Sequence, residues 1–153
     1  MIYRCKYFKV QELVPPEVYN AWGDRSWWWV DPLMAISIDA LREHLYGANT
    51  GPNYGITIND WASGGNYRYS GFRPRSCTEG GEMSQHRIAK GFDCKFKGGK
   101  DPFDVAAEII KYKDDKFIHI NCIEDPVFTK GKYIPWLHID GRNTDQRILT
   151  VKP

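Results

Sequence analysis

The sequence predicts an α+β fold, with a small, mainly antiparallel sheet flanked by helices. Two segments carry apolar residues at helical spacing behind an Asp-Pro pair, and several short runs carry β-branched or alternating residues. These helices and strands do not alternate regularly along the chain, as they would in a βαβ protein. The length of 153 residues suits one ordinary domain, so we expect residues 1–153 to form a single domain.

Matching start signals predict the two helices. Asp31 and Pro32 combine a capping carboxylate with the residue that suits the first helical position, and Gly47 follows the apolar pattern. We therefore expect a helix over residues 32–46. The same Asp-Pro signal precedes an apolar stripe that predicts a second helix over residues 102–111.

Strands are predicted where β-branched, aromatic or alternating residues form short runs. Residues 56–58 are a β-branched run, and residues 117–123 alternate between two sets of side chains. The four segments with strand propensities are residues 56–58, 67–70, 117–123 and 136–140.

The composition favours a folded domain and argues against two classes of partner. Hydrophobic residues make up 42% of the chain, which is enough for a core at this length. The 21 basic and 19 acidic residues leave a net charge of +2, too balanced for a nucleic-acid-binding surface. No apolar run reaches the roughly 18 residues of a membrane span, and the first residues lack the apolar core of a secretory signal. We expect a monomer without a signal peptide that binds neither nucleic acid nor membranes.

The four cysteines are scattered without a CxxC pair, which argues against a zinc ribbon or a redox motif. We expect reduced thiols at Cys5, Cys77, Cys94 and Cys122. The alternative is a disulfide between Cys77 and Cys94 in an oxidising compartment.

The segment from Ser84 to Asp93 carries the strongest chemical signal. The imidazole of His86 and the carboxylate of Asp93 are seven positions apart, and the small residues Ala89 and Gly91 allow a tight turn between them. Such a pair could converge on one metal ion. Catalytic zinc takes three protein ligands at about 2.0 to 2.2 Å and keeps a fourth position for water, so a third ligand is needed.

Among the other histidines, His138 is the best candidate for the third ligand. A strand would project it to one face, and the neighbouring Trp136 and Ile139 could exclude water. His44 lies among charged residues of the first helix, where we expect a solvated surface position. His119 is expected on a strand, as either a partly buried, hydrogen-bonded residue or a catalytic one.

The run Trp27, Trp28 and Trp29 has two interpretations. Aromatic faces stack on sugars, so the run could bind carbohydrate; packing against the first helix is the alternative. We expect packing for most of the run, with one indole exposed along a groove.

These motifs resemble those of peptidase family M15, the zinc D-Ala-D-Ala carboxypeptidases and related phage murein endopeptidases. The family pattern SxHxxGxAxD is met at Ser84, His86 and Asp93, and its downstream WxH is met at Trp136 and His138. Further similarity lies upstream, at residues 12–16, 41–42, 58–65 and 70–74. The resemblance implies a Hedgehog/DD-peptidase-like fold and a Zn²⁺ site with His86, Asp93 and His138 as ligands.

Two more residues take roles from the resemblance. Arg73 matches the arginine of the family's SGYR-like segment, where its guanidinium could clamp a substrate carboxylate or polarise the scissile carbonyl. The alternative for Arg73 is a structural role, tying its loop to backbone carbonyls. Ser84 is expected beside the substrate, where its hydroxyl fixes the loop by a local bond to the backbone; no adjacent base supports a nucleophile.

The sequence departs from the family pattern inside the metal motif. The small residues appear in swapped order, as Ala89 and Gly91. We expect the turn to survive unless the first of these positions requires a positive φ.

A second departure concerns the general base. The family usually carries an acid shortly before the last histidine, to take a proton from water and pass it to the leaving amine. Lys132 and Pro135 occupy the corresponding positions. We favour Glu124 as the base, with Asp125 and Asp140 as alternatives; Asp140 could instead orient the imidazole of a ligand.

The resemblance implies hydrolysis of the short stem peptides of peptidoglycan, by carboxypeptidase or endopeptidase action. It also implies a phage lysis protein that moves from the host cytoplasm to the cell wall, or a virion-associated enzyme. Because the usual acid is missing, the alternative is a zinc-stabilised module that binds cell-wall peptides with little or no catalysis.

Overall fold

A computed structural model describes residues 2–152, which form three helices and one five-stranded mixed sheet. The helices are α1 (Pro16–Trp22), α2 (Pro32–Tyr46) and α3 (Pro102–Lys111). The strands are β1 (Ile56–Thr57), β2 (Gly91–Phe96), β3 (Cys122–Glu124), β4 (Leu137–Asp140) and β5 (Leu149–Val151). The predicted α+β class is confirmed.

Local signals account for the two predicted helices. The Asp31 carboxylate accepts hydrogen bonds from two backbone amides in the first turn of α2, and Asp101 accepts one in the first turn of α3. Both helices begin at a proline, whose missing N–H costs nothing there. The spans predicted at residues 32–46 and 102–111 are confirmed, whereas α1 was not predicted.

The sheet has the strand order β1-β2-β4-β3-β5. The first three pairings are antiparallel, while β5 lies parallel to β3 at one edge. The strands predicted near residues 56–58 and 136–140 form, as β1 and β4. Neither β2 nor β5 was predicted; the glycine that begins β2 weakens its strand signal.

Two strand predictions are wrong. Residues 67–70 are irregular, and the Tyr67 carbonyl accepts hydrogen bonds from the amides of a nearby turn instead of a strand partner. Of the segment predicted at 117–123, residues 117–121 lie in turns and irregular structure, and β3 begins only at Cys122. Alternation is a local feature, but a strand also needs a neighbouring strand within hydrogen-bonding distance.

Side-chain alternation divides the central strands into two faces. Phe92 and Cys94 of β2, Leu137 and Ile139 of β4, and Ile123 of β3 are buried in one hydrophobic cluster with residues of α2 and α3. The opposite face therefore holds the polar side chains of these strands.

Three other expectations were tested by the fold. His44 is not a solvated surface residue, because its side chain packs against Tyr112 and Phe117 and its Nε2 lies 2.8 Å from Glu108 Oε2. His119 is partly buried but lies in a turn, and its imidazole has no hydrogen bond with the described residues. All four cysteines are free, so the alternative disulfide is not formed. None of the helices within residues 2–152 is long and apolar enough to cross a membrane.

Candidate metal centre

The polar face of the sheet brings Asp93 and His138 together. The two residues are direct partners in the antiparallel pairing of β2 with β4. Opposite residues on adjacent strands project to the same face, so the carboxylate and the imidazole meet. Extending the β3–β4 register by one residue places Glu124 on the other side of His138. The site is therefore a row across three strands.

His86 reaches this row from a short 3₁₀ turn, Gln85–Ile88, directly before β2. The turn ends at Ala89, which has φ 60° and ψ 22°, the left-handed region that L-residues avoid. The first swapped position of the motif thus does require a positive φ. The turn nevertheless forms, and the Lys90 amide donates to the Gln85 carbonyl at 2.9 Å.

A separate steric reason favours glycine at position 91. A Cβ at this position would lie 3.0 Å from His138 Cε1 and 3.3 Å from Gln85 Cβ. The absent side chain leaves space for the His138 imidazole, so the two small residues are not interchangeable in this structure.

The three predicted ligands converge on one point. His86 Nε2 lies 3.2 Å from both Asp93 Oδ1 and His138 Nδ1, and the last two atoms are 2.8 Å apart. A tetrahedral ion with bonds of about 2.0 Å holds its donors about 3.3 Å apart. The triangle is therefore of the size that a metal ion could cap, and His86, Asp93 and His138 form a possible metal-binding triad.

Hydrogen bonds orient both imidazoles. His86 Nδ1 donates to the Gly71 carbonyl at 2.7 Å, which leaves the Nε2 lone pair facing the other two ligands. His138 Nε2 donates to Asp140 Oδ2 at 3.0 Å, which leaves its Nδ1 facing them. Such partners fix the tautomer and ring orientation of histidines that bind metals.

Asp93 is oriented by Arg73. Arg73 Nη2 donates to Asp93 Oδ2 at 2.9 Å, while its Nε donates to the Tyr69 carbonyl. The carboxylate thus keeps Oδ1 for the two imidazoles. Of the two interpretations of Arg73, the structural one is supported by the bond to Tyr69. Arg73 Nη1 has no hydrogen bond with residues 2–152.

The charges of the triad follow from burial and hydrogen bonding. Burial lowers the pKa of His86, so its imidazole is neutral near pH 7. Burial also lowers the pKa of His138, but hydrogen bonds to Asp140 and Asp93 outweigh it and raise the pKa to about 9. For Asp93, burial is outweighed by the two imidazoles beside it, above all by the hydrogen bond from His138, and its pKa is held well below the usual range. A metal ion at this site would replace the proton on His138 Nδ1.

The three candidate bases, Glu124, Asp125 and Asp140, differ in their surroundings. Glu124 lines a cavity of about 430 Å³ that also contains the triad, and burial raises the pKa of its carboxyl. Asp125 accepts a hydrogen bond from the Val127 amide and caps the turn after β3. Asp140 is fully buried and bonded to His138 and Arg142, so it orients the His138 imidazole and does not line this cavity.

Ser84 lines the same cavity as the triad, but the loop-fixing bond expected of its hydroxyl is absent from the described part of the chain. Its backbone carbonyl accepts from the Arg87 amide, so the turn is held without the side chain. The hydrogen-bonding capacity of Ser84 Oγ is therefore not used by the described residues.

Sequence reasoning missed Lys95, a buried cation two positions after Asp93 on the same face of β2. Its Nζ donates to Ser70 Oγ and to the carbonyls of Ile58 and Asp93, both at 3.2 Å. Burial lowers its pKa. The only sequence signal that could have predicted its position beside the site is its alternation with Asp93 along the strand.

The donor set limits which ions fit. Two imidazole nitrogens and one carboxylate oxygen are used by catalytic zinc, and also by non-haem iron. Neither a scan against protein-family models, nor a search of curated proteins, nor a search of solved structures gives a significant match to this chain. The assignment of a possible metal site therefore rests on the geometry of its three donors.

Proposed function

We propose that this chain is a zinc-dependent peptidase of the DD-peptidase type, which hydrolyses peptide bonds in the stem peptides of peptidoglycan. The observation that carries the proposal is the shared cavity: the His86, Asp93 and His138 donors and the Glu124 carboxyl line the same space. A metal site without catalysis would need no such carboxyl. The motif resemblance supports zinc over iron, and peptidoglycan over other peptides.

When bound, zinc polarises an amide carbonyl and makes water more acidic. Glu124 takes one proton from the attacking water as the water oxygen bonds to the carbonyl carbon. It then delivers that proton to the departing nitrogen as the C–N bond breaks, which yields a carboxylic acid and an amine. Partial burial suits Glu124 to this role, since a raised pKa makes the carboxyl a better proton carrier near neutral pH.

Arg73 and Ser84 complete the substrate side of the cavity. Arg73 Nη1 presents a charge-assisted donor for a substrate carboxylate or carbonyl, while its Nη2 stays with Asp93. Ser84 Oγ offers a neutral hydrogen bond to the peptide backbone.

The test is cleavage of purified peptidoglycan and of synthetic stem peptides of several cross-link types. Cleavage is measured as the release of new amino groups. We expect metal analysis of protein purified without chelator to find zinc, at one ion per chain. We expect Glu124→Gln to keep its zinc and to lose about 100-fold to 10,000-fold in turnover, the usual contribution of general acid–base catalysis. The matched control is Asp125→Asn, in which asparagine still caps the turn and activity is retained.

Each outcome has a separate consequence. Full activity of Glu124→Gln would remove Glu124 as the base. Zinc-loaded protein that cleaves no substrate would leave a cell-wall peptide-binding module. Iron in place of zinc would contradict the peptidase, and protein without any bound metal would contradict the site itself.

A further inference from the structure

The structure contains an aromatic groove that is separate from the metal cavity. The proposed hydrolysis gives this groove no role. It is lined by Trp22, Trp28, Trp29, Phe72 and Ile88, with Arg75 at its edge, and it encloses about 640 Å³. The exposed fractions of Trp22, Trp28 and Trp29 are 44%, 59% and 41%, whereas Trp27 is buried at 8%. Packing therefore accounts for only one member of the Trp27–Trp29 run, contrary to the expectation from sequence.

The indoles are held in place by each other. Trp22 meets Trp29 edge-on at a centroid distance of 5.7 Å and lies 6.4 Å from Trp28, and Trp29 stacks on Phe72 at 6.0 Å with planes 12° apart. Large apolar side chains exposed together are uncommon on a folded protein, and they mark interaction sites or ligand-binding grooves. The mutual contacts keep the rings ordered, so that binding of a ligand loses little free energy in ordering these side chains.

The groove shares its wall with the metal centre. Phe72 flanks Arg73, which binds Asp93, and Ile88 belongs to the turn that carries His86. Arg87 braces this wall by donating to the carbonyls of Pro74, Cys77 and Gly81. The groove and the metal cavity therefore lie on the same two segments of the chain, although they share no lining residue.

We infer that this groove binds the glycan strand of peptidoglycan, through its β-1,4-linked N-acetylated amino sugars. This inference rests on the proposed function, because the stem peptides that the metal centre would cleave are attached to that glycan. Pyranose rings present apolar C–H faces, which stack on indoles, and equatorial polar groups, which need partners at the rim.

The rim supplies such partners. The Arg75 side chain is exposed and has no hydrogen bond with the described residues, and Asp31 Oδ1 is occupied by the α2 cap while Oδ2 is not. A concave site of this volume suits a small or linear ligand, whereas a second protein chain would need a surface burying about 800 Å² per partner.

The test is binding of the N-acetylglucosamine tetramer, measured by calorimetry and by tryptophan fluorescence. We expect wild-type protein to bind it, and Trp28→Ala to bind at least about tenfold more weakly, from the loss of one stacking platform. The matched control is Tyr54→Ala, which removes an exposed aromatic ring outside the groove and keeps wild-type affinity.

The same titration on the His86→Ala protein separates the two proposals. Glycan binding that survives in this variant supports the groove whether or not the protein is a peptidase. Cleavage of stem peptides without tetramer binding would overturn the groove alone. Equal affinities of wild type and Trp28→Ala would also overturn it. Self-association by sedimentation that Trp28→Ala abolishes, without tetramer binding, would reassign the surface to contacts between chains.

Discussion

Replacing Asp140 with asparagine tests whether a buried carboxylate sets the metal affinity. Asp140 is fully buried and accepts hydrogen bonds from His138 Nε2 at 3.0 Å and from the backbone and guanidinium of Arg142. An asparagine has one oxygen to share between these donors, and its amide N–H₂ would face one of them. The His138 ring would therefore lose its fixed orientation or Arg142 would lose its partner.

The expected loss is large because no water can replace the carboxylate. Partners that orient a ligand histidine typically contribute about tenfold to 100-fold in metal affinity, or about 1.4 to 2.7 kcal/mol. The complete burial of Asp140 places Asp140→Asn in the upper half of this range. One opposing effect must be removed: losing Asp140 also lowers the pKa of His138, which reduces competition from the proton.

The assay is a competition titration of zinc against a chromophoric chelator at pH 9. Because the pKa of His138 is about 9, proton competition changes the wild-type affinity by at most about twofold there. The control is Asp114→Asn, which removes an exposed carboxylate paired with Arg147. An Asp140→Asn protein that is folded by circular dichroism and binds zinc as tightly as wild type would refute the orienting role.

Three further predictions concern the turn and the ligands. Ala89→Gly should raise the free energy of unfolding by about 1 kcal/mol in chemical denaturation, because glycine adopts φ 60° without strain; a lower stability would contradict it. Gly91→Ala should weaken zinc binding by about threefold to tenfold, because its Cβ displaces the His138 ring by a few tenths of an ångström; unchanged affinity would show that the ring has room. Metal-free protein should lose about 2 kcal/mol of stability between pH 6.5 and pH 8.5, because the raised pKa of His138 stabilises the fold only while the imidazole is protonated. Saturating zinc should abolish this loss, and a flat profile without metal would place the His138 pKa near its usual value.

The predicted helices came from signals that lie within a few residues of each other. The cap at Asp31, the proline after it and the apolar spacing are all properties of one segment, and α2 spans the predicted residues. Strands were less predictable, because a strand exists only when a distant segment pairs with it. Residues 67–70 have strand propensities but form no strand, although the Ser70 carbonyl accepts one hydrogen bond from the Asp93 amide, whereas β2 has a weak signal and pairs with two strands.

The metal ligands could be proposed before their geometry was known, because few other groups in the chain combine suitable chemistry with small neighbours. Their convergence depends on the pairing of Asp93 with His138 across 45 positions of sequence. The number of exposed indoles in the Trp27–Trp29 run was mispredicted for a related reason, because packing was expected for most of the run and only Trp27 is buried. A run of tryptophans is apolar wherever it occurs, and only the surrounding fold decides which rings are covered.

By itself the sequence determined the two main helices, the α+β class and the three residues able to hold a metal, since these depend on local spacing and side-chain chemistry. Tertiary structure alone decided which acid accompanies them. The sequence favoured Glu124 and left Asp125 and Asp140 as alternatives. The β3–β4 register places Glu124 beside His138 in the cavity, whereas Asp140 is buried and accepts the hydrogen bond from His138 Nε2. Register is a long-range property, because each pairing is stabilised by contacts between segments that lie far apart in the sequence.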